Sequence, residues 1–363
     1  MVYLSISNRI DIDPIMTAIL KNVFMLQRYD FFSIFASDMK RLLLMLVLGS
    51  CIAVASGRPK VGLVLGGGGA KGAAEVGVLK VIEKAGIPID YIAGTSIGSI
   101  VGGLYAAGYT ASELDTMFCQ QEWLTLLTDR RNDLGNEPYK VKDGVTYIFG
   151  FPVMGEIKDG VIGSFGVMKG ERVEQVIDSM ARLKGCAEFE LLRTPFRCVA
   201  ADFRTAKEVV LQSGKLSRAV RASMSIPGIF KPVNQDGMNL VDGGMMNNLP
   251  VDVVKEMGAD IIITIDLQQK EQKPKQSGFD FDMVSGIADM LGFGGLLNWV
   301  ATRPDITKYN ENVQQSTIYI HPPLPDLDAS SFGNKNSARM IKIGEDEALK
   351  HWDELMELKK QLE

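Results

Sequence analysis

A chain of 363 residues, 46% hydrophobic and 23% charged, is long enough to bury a large core. Its formal net charge of −5 gives no sign of a nucleic-acid surface, and its four cysteines, Cys51, Cys119, Cys186 and Cys198, show no paired metal-ligand spacing.

Residues 1–38 carry no targeting logic, and an ordinary export signal has no preface of that length. They read as a non-native N-terminal extension, with translation starting at Met39. Met39-Lys40-Arg41, the apolar run at 42–55 and the small residues Ala53-Val54-Ala55 supply the basic start, hydrophobic stretch and cleavage site of a secretory signal, leaving Ser56 as the mature N-terminus. The run is too short to span a bilayer comfortably. Leu48-Gly49-Ser50-Cys51 offers the alternative of a lipoprotein anchored through an acylated Cys51. Either way an exported protein is expected: periplasmic, associated with the outer membrane, or secreted. One domain is expected from about residue 58 to 363, ending in a helical extension.

Residues 60–65 read as a buried strand delivering Gly66-Gly67-Gly68-Gly69-Ala70-Lys71-Gly72, and residues 73–85 as the helix that follows. A glycine-rich turn at a helix start offers unpaired N–H groups to negative charge. A second short strand, 89–93, runs into Gly94-Thr95-Ser96-Ile97-Gly98. In this G-x-S-x-G form the glycines let the chain turn sharply from strand to helix, so that the serine hydroxyl stands clear. A nucleophile beside an anion cradle is the equipment of acyl transfer.

Each motif alone is weak. With 37 glycines in the chain, one chance G-x-S-x-G would be no surprise. Gly67-x-Gly69-x-x-Gly72 also fits the dinucleotide-binding fingerprint, whose ribose-binding acid belongs at the end of the second strand. Asp90 stands at the beginning of that strand instead, and the serine turn occupies its end. A phosphate-binding P-loop needs Ser or Thr after its lysine, whereas Gly72 follows Lys71.

Downstream, 97–108 reads as a helix of small residues, 112–127 as one helix with Ser112 as N-cap, and 139–163 as a hairpin excursion, a surface insertion or a flap over the site. Residues 169–183 form an amphipathic helix, 196–201 and 208–212 strands, and 216–223 a helix. A short apolar run then carries Asp242 into Gly243-Gly244, a turn that lets a carboxylate approach another backbone closely; in isolation Asp-Gly-Gly is an Asx turn. Residues 261–266 make a strongly apolar strand and 270–278 a polar loop. The weakly charged segment 279–300, with Trp299, reads as a core helix; exposed, it would dock the protein on a bilayer or form a homodimer face. Strands alternating with helices predict an α/β fold with a mainly parallel central sheet and helices on both faces.

A serine nucleophile needs a base, and the chain has only His321 and His351. His351 lies in a charged helical tail at 345–363 and reads as a solvated surface residue. His321 follows the strand-like 316–320, so a Ser-Asp-His triad is an alternative. The other candidate base is Asp242.

Four segments in order resemble the patatin-like phospholipases of the bacterial, secreted type: Gly67 to Gly72, Gly94 to Gly98, Arg221-Ala-Ser-Met-Ser-Ile-Pro-Gly-Ile-Phe-Lys-Pro-Val233, and Asp242-Gly243-Gly244. The resemblance spans about residues 60–266. In that family a Ser-Asp dyad works without histidine, metal or cofactor. It therefore implies Ser96 as nucleophile, Asp242 as base, and Gly67, Gly68 and Gly69 as oxyanion hole. Lys71 would steady the loop and add positive charge, with Gly72, Gly94, Gly98, Gly243 and Gly244 as supporting motif residues. The implied substrate is a carboxylic ester of a phospholipid or related acyl glycerol. An aspartate of ordinary pKa, about 3.9, is a feeble base for a hydroxyl, so burial beside Leu240 and Val241 is expected to raise it. The alternatives are an α/β-hydrolase esterase using His321, a dinucleotide-binding oxidoreductase, and a catalytically idle lipid-binding module. An α/β-hydrolase places several strands before its nucleophile, however, and here one strand-helix unit precedes Ser96. Residues from 268 onward match no motif.

Overall fold

Two apolar strands, β1 (Val61–Leu65) and β2 (Tyr91–Thr95), pair in parallel at the centre of the fold. The structure, a computed structural model, describes residues 58–127, 140–142, 145–147, 166–268, 306–327 and 329–363. The chain divides into Met1–Arg58 and Pro59–Glu363, and every element below belongs to the second unit. The expectations for 1–38, the signal at 39–55, Cys51, the loop at 270–278 and the segment 279–300 lie outside the described residues. So does most of 139–163, within which β3 (Lys140–Lys142) and β4 (Val145–Tyr147) pair as an antiparallel hairpin.

The main sheet runs β12 (Ile318–Ile320), β11 (Ile261–Ile265), β1, β2, β6 (Phe196–Asp202), β10 (Met238–Asp242), β9 (Val233–Gln235), and β7 (Lys207–Leu211) pairs with β6. From β12 to β6 all neighbours are parallel, while β7 and β10 are antiparallel to β6 and β9 to β10. The sheet is thus mixed and mostly parallel. Short strands β5 (Gly166–Met168) and β8 (Gly228–Phe230) pair separately in parallel.

Both faces are covered, which is why β1 is apolar and buried along its whole length instead of alternating. On one face lie α1 (Ala73–Ala85), α2 (Ile97–Ala106), α3 (Ala111–Gln120), α5 (Glu171–Leu183) and α6 (Leu216–Ser223), whose apolar residues join Leu63, Leu65 and Ile92 in one cluster. On the other, α7 (Val251–Glu256) and α8 (Ile306–Gln315) bury Val64, Ala93 and Val199.

The expected single helix over 112–127 is two, α3 and α4 (Trp123–Leu127), and its N-cap is Thr110, not Ser112. Thr110 Oγ1 accepts from the Glu113 amide while the Glu113 carboxylate takes the Thr110 amide, a capping box that Ser112, two positions further on, is too late to make. The charged tail at 345–363 is also more than a surface extension. It forms the end of α9 (Asn334–Lys350) and all of α10 (Trp352–Leu362), and α9 packs closely on α1. A Cβ on Gly77 would overlap the Ile341 carbonyl, and one on Gly344 would overlap the Ala74 carbonyl, so the two helices meet backbone to backbone. Glu75 is sealed in α1 with neither carboxyl oxygen hydrogen-bonded, and burial, aided by nearby Asp266, pushes its carboxyl well above the usual range.

Strand β6 positions the site. Its first half pairs with β2, with Thr95 opposite Val199, and its second half pairs on the same edge with β10, with Asp242 opposite Ala200; β7 takes the other edge. Strands β2 and β10 run in opposite directions along this shared edge. Their C-terminal ends therefore meet head to head, and the residues that leave those ends are Ser96 and Asp242.

Candidate active site

Ser96 sits between β2 and α2 with φ 55° and ψ −121°, a conformation costing a non-glycine residue roughly 1–3 kcal/mol. Close packing of the two ends of the turn holds it there: a Cβ on Gly94 would overlap Gly98, and one on Gly98 would overlap the Leu65 carbonyl. The Ser96 amide donates to Ser223 Oγ at 3.0 Å, Ser223 Oγ donates to the Val199 carbonyl at 2.6 Å, and Ser99 Oγ donates to the Ser96 carbonyl at 2.6 Å. With its backbone fixed on three sides, the Ser96 hydroxyl is aimed at one acceptor. It donates to Asp242 Oδ2 at 2.6 Å.

The other oxygen of Asp242 accepts the Gly244 amide at 2.7 Å. The Asx turn and the approach to serine, alternative readings of Asp-Gly-Gly in the sequence, are thus both present, one on each carboxylate oxygen. The Asp242 amide donates to the Ser225 carbonyl at 2.9 Å, which ties β10 to the end of α6. Asp242 is 6% exposed. Burial pushes its carboxyl up to about 6, against the lowering effect of the Ser96 hydroxyl and the Gly244 amide.

The glycine-rich loop forms a 3-10 turn, Gly69–Gly72, that leads into α1. Among the described residues the N–H groups of Gly68 and Gly69 have no hydrogen-bond partner. Gly67 differs from the expectation that it lends its amide to an anion: that N–H already donates to the Asn248 carbonyl at 3.1 Å. Lys71 Nζ donates to the Leu267 carbonyl at 2.6 Å, and the Ala70 amide to the Ala329 carbonyl at 2.9 Å, so both flanks of the loop are seated on segments far along the chain. Gly69, with φ 58°, lies against Ala329 where a Cβ would collide.

Residues 63–255 match the family model described as patatin-like phospholipase. The chain belongs to that family. Its mixed, mostly parallel sheet with helices on both faces is the patatin-like α/β fold. An uncharacterized NTE family protein of Mycobacterium tuberculosis is 33% identical over 219 residues, 60% of this chain and 52% of that one. Lysophospholipase nte1 of Emericella nidulans is 29% identical over 289 residues, 76% of this chain and 17% of that one. The chain spans about half the length of the first relative and a smaller part of the second. The crystal structure of VipD from Legionella pneumophila aligns with a TM-score of 0.49 at 13% identity, over 82% of this chain and 67% of that one.

Within this patatin-like fold the histidine alternatives fall away. His321 follows β12, which is three strand spacings from β2, roughly 14 Å. Its Nδ1 lies 3.1 Å from the Asp266 carbonyl oxygen and its ring stacks on Tyr319; Asp266 also accepts the Tyr309 and Tyr319 hydroxyls. Among the described residues His321 meets Asp266, not Ser96. His351 joins α9 to α10 and meets Glu354. The dinucleotide alternative fails at Asp90, whose carboxylate accepts the Val61 amide at the start of β1, the end of the sheet opposite the glycine loop. Among the described residues no three His, Cys, Asp or Glu side chains converge as a cation would require.

Several contacts that shape the site join residues far apart in the chain. Ser223 fixes the Ser96 amide, and Thr95 Oγ1 donates to the Asn247 carbonyl at 2.8 Å. Asn248 Nδ2 donates to the Gly67 carbonyl at 3.1 Å, across 181 positions. Thr95 and Ser223 lie within segments that carry the family resemblance; Asn247 and Asn248 lie outside them.

Proposed function

We propose that this protein is a lipid acyl hydrolase that cleaves carboxylic esters of phospholipids or related acyl glycerols with a Ser96-Asp242 dyad. The observation that carries the reading is the 2.6 Å hydrogen bond from Ser96 Oγ to a buried carboxylate. Asp242 accepts the serine proton as Oγ bonds to the ester carbonyl carbon, and the carbonyl π pair moves onto oxygen. The amides of Gly68 and Gly69 receive that oxyanion; Gly67, whose N–H is engaged with Asn248, serves as a fixed support for the pair. Collapse of the tetrahedral adduct breaks the bond to the leaving alkoxide, which takes the proton from Asp242. Water, deprotonated in turn by Asp242, attacks the acyl-enzyme and releases the fatty acid, returning the proton to Ser96. Membership of the patatin-like phospholipases and the fungal lysophospholipase relative support the substrate class. Covalent labelling by a fluorophosphonate probe, together with fatty-acid release from a panel of phospholipids and lysophospholipids, tests the reading; a protein inert in both would end it.

The elevated carboxyl of Asp242 predicts the pH dependence. Only the ionised form can take a proton, so kcat/KM on a soluble ester should fall about tenfold per pH unit below about 6 and level off above it. A profile with its midpoint near 4, or one that falls again between 7 and 8, would exclude Asp242 as the controlling base.

Export is proposed on the pattern at Met39 to Ala55. Terminal sequencing of the protein from its native host should give Ser56, or a blocked, acylated Cys51. An intact Met1 chain in the cytosol would refute export.

A further inference from the structure

We propose that Asn248 is a positioning residue of the site, clamping Gly67 to the Asp242 turn so that the neighbouring amides of Gly68 and Gly69 face Ser96. The proposal rests on the dyad reading above and extends it to the oxyanion loop. Both polar backbone groups of Gly67 are held by this one residue: its amide donates to the Asn248 carbonyl, and its carbonyl accepts from Asn248 Nδ2, each at 3.1 Å. Asn248 Oδ1 fills the space that a Cβ on Gly67 would need, and it lies 2.6 Å from where a Cβ on Gly244 would stand. The same Gly67 position is 3.2 Å from Ser96 Cβ. The side chain is thus wedged between the glycine loop and the turn that carries the base, beside the nucleophile.

The preceding residue makes this wedge stiff. Asn247 Nδ2 donates to Glu208 Oε1 at 3.0 Å and to Asp252 Oδ1 at 2.8 Å, and Asn312 Nδ2 donates to Asn247 Oδ1 at 3.2 Å. Lys308 in α8 bridges Glu208 and Asp252. The Asn247 carbonyl takes the Thr95 hydroxyl one residue before the nucleophile. Two adjacent asparagines therefore register three catalytic segments: Asn247 holds the strand end that presents Ser96, Asn248 holds the oxyanion loop, and both belong to the chain leaving Asp242. A run of four glycines has little conformational preference of its own, and a displacement of about 1 Å at a reacting group can cost on the order of 10²-fold in rate. The loop needs an external clamp, and Asn248 is placed to be one. Leu267 and Ala329 brace Gly68 and Gly69 from the other side, so removing the clamp should loosen the loop without dismantling it.

The test is the fluorophosphonate reaction, followed for rate and for end-point stoichiometry, in the full chain and in Asn248→Ala and the isosteric Asn248→Asp. Asp keeps the size but cannot donate to the Gly67 carbonyl. In both variants the labelling rate and kcat per titrated site should fall by about 10- to 10²-fold, with KM within a few-fold of the parent and full labelling at the end point. In Asn248→Ala the pH midpoint should stay near 6, because the partners of Asp242 are untouched. A purely structural asparagine would give the reverse: a reduced end point with a normal rate per labelled site. Parental per-site rates in the two variants, or loss of the end point in both, would overturn the proposal. An inert parent would instead overturn the hydrolase reading, and the clamp with it.

Discussion

Ser96→Ala should yield a folded protein that neither reacts with a fluorophosphonate probe nor hydrolyses esters, a loss on the order of 10⁶ in kcat by analogy with serine hydrolases stripped of their nucleophile. The substitution removes one oxygen and leaves the packing of the turn intact, since the close approaches at Gly94 and Gly98 hold it and neither involves the hydroxyl. The Ser96 amide keeps its bond to Ser223, because the backbone makes it. What changes is the environment of Asp242. It loses a hydrogen bond that favours its ionised form and keeps the Gly244 amide, so its carboxyl should move further up. Probe labelling, ester turnover and circular dichroism on one preparation check the result. Turnover near the parental value with an intact spectrum would remove Ser96 from the mechanism.

How much of this could be seen in the sequence depended on whether the relevant interaction was local. Helix α1 was legible to the residue because apolar spacing, a glycine-rich entry and Gly86, with φ 71° at its exit, all lie within one segment. Helix α6 was equally plain. The N-cap of α3 is legible too, as Thr110 and Glu113 at capping-box spacing, although Ser112 is a competing cap-type residue two positions on. The short elements β8, β9 and α7 are not legible, for strands of three residues and a helix of six carry too few apolar positions to establish a period. The site divides in the same way. Ser96 announces itself by its flanking glycines, whereas Asp242 needs the family resemblance, since Asp-Gly-Gly is equally good as a turn. Asn248 was invisible: its partner Gly67 lies far along the chain, and no spacing rule connects them. The shared edge of β6, which sets Ser96 against Asp242, is likewise a fact of strand order and register.

The second large effect separates a dyad from a triad. Asp242→Asn keeps the shape of the side chain and can still accept the Gly244 amide, but it has no basic oxygen, and kcat/KM should fall by about the 10²–10⁴ associated with general-base catalysis. His321→Ala and His351→Ala should stay within a few-fold of the parent, because His321 is committed to the Asp266 segment at the far edge of the sheet and His351 to the junction of α9 and α10. A triad inverts the pattern, with His321→Ala as damaging as loss of the serine. Stability supplies an independent reading of the same carboxylate. Asp242 has a folded-state pKa of about 6 and an unfolded value of about 3.9, so between those values the folded state binds more protons, and stability drops as pH rises through the window. Below about 4 both states are protonated and no such penalty exists. Asparagine never ionises. The Asp242→Asn variant should therefore be more stable than the parent at pH 7–8, by up to about 3 kcal/mol, with the difference vanishing toward pH 4. Urea unfolding of both proteins at pH 4 and pH 7.5 measures this. An inactive variant that is stabilised only at the higher pH would mark Asp242 as a base whose burial costs the fold stability while raising its affinity for the serine proton; an inactive variant equally destabilised at both pH values would reduce it to a structural turn residue.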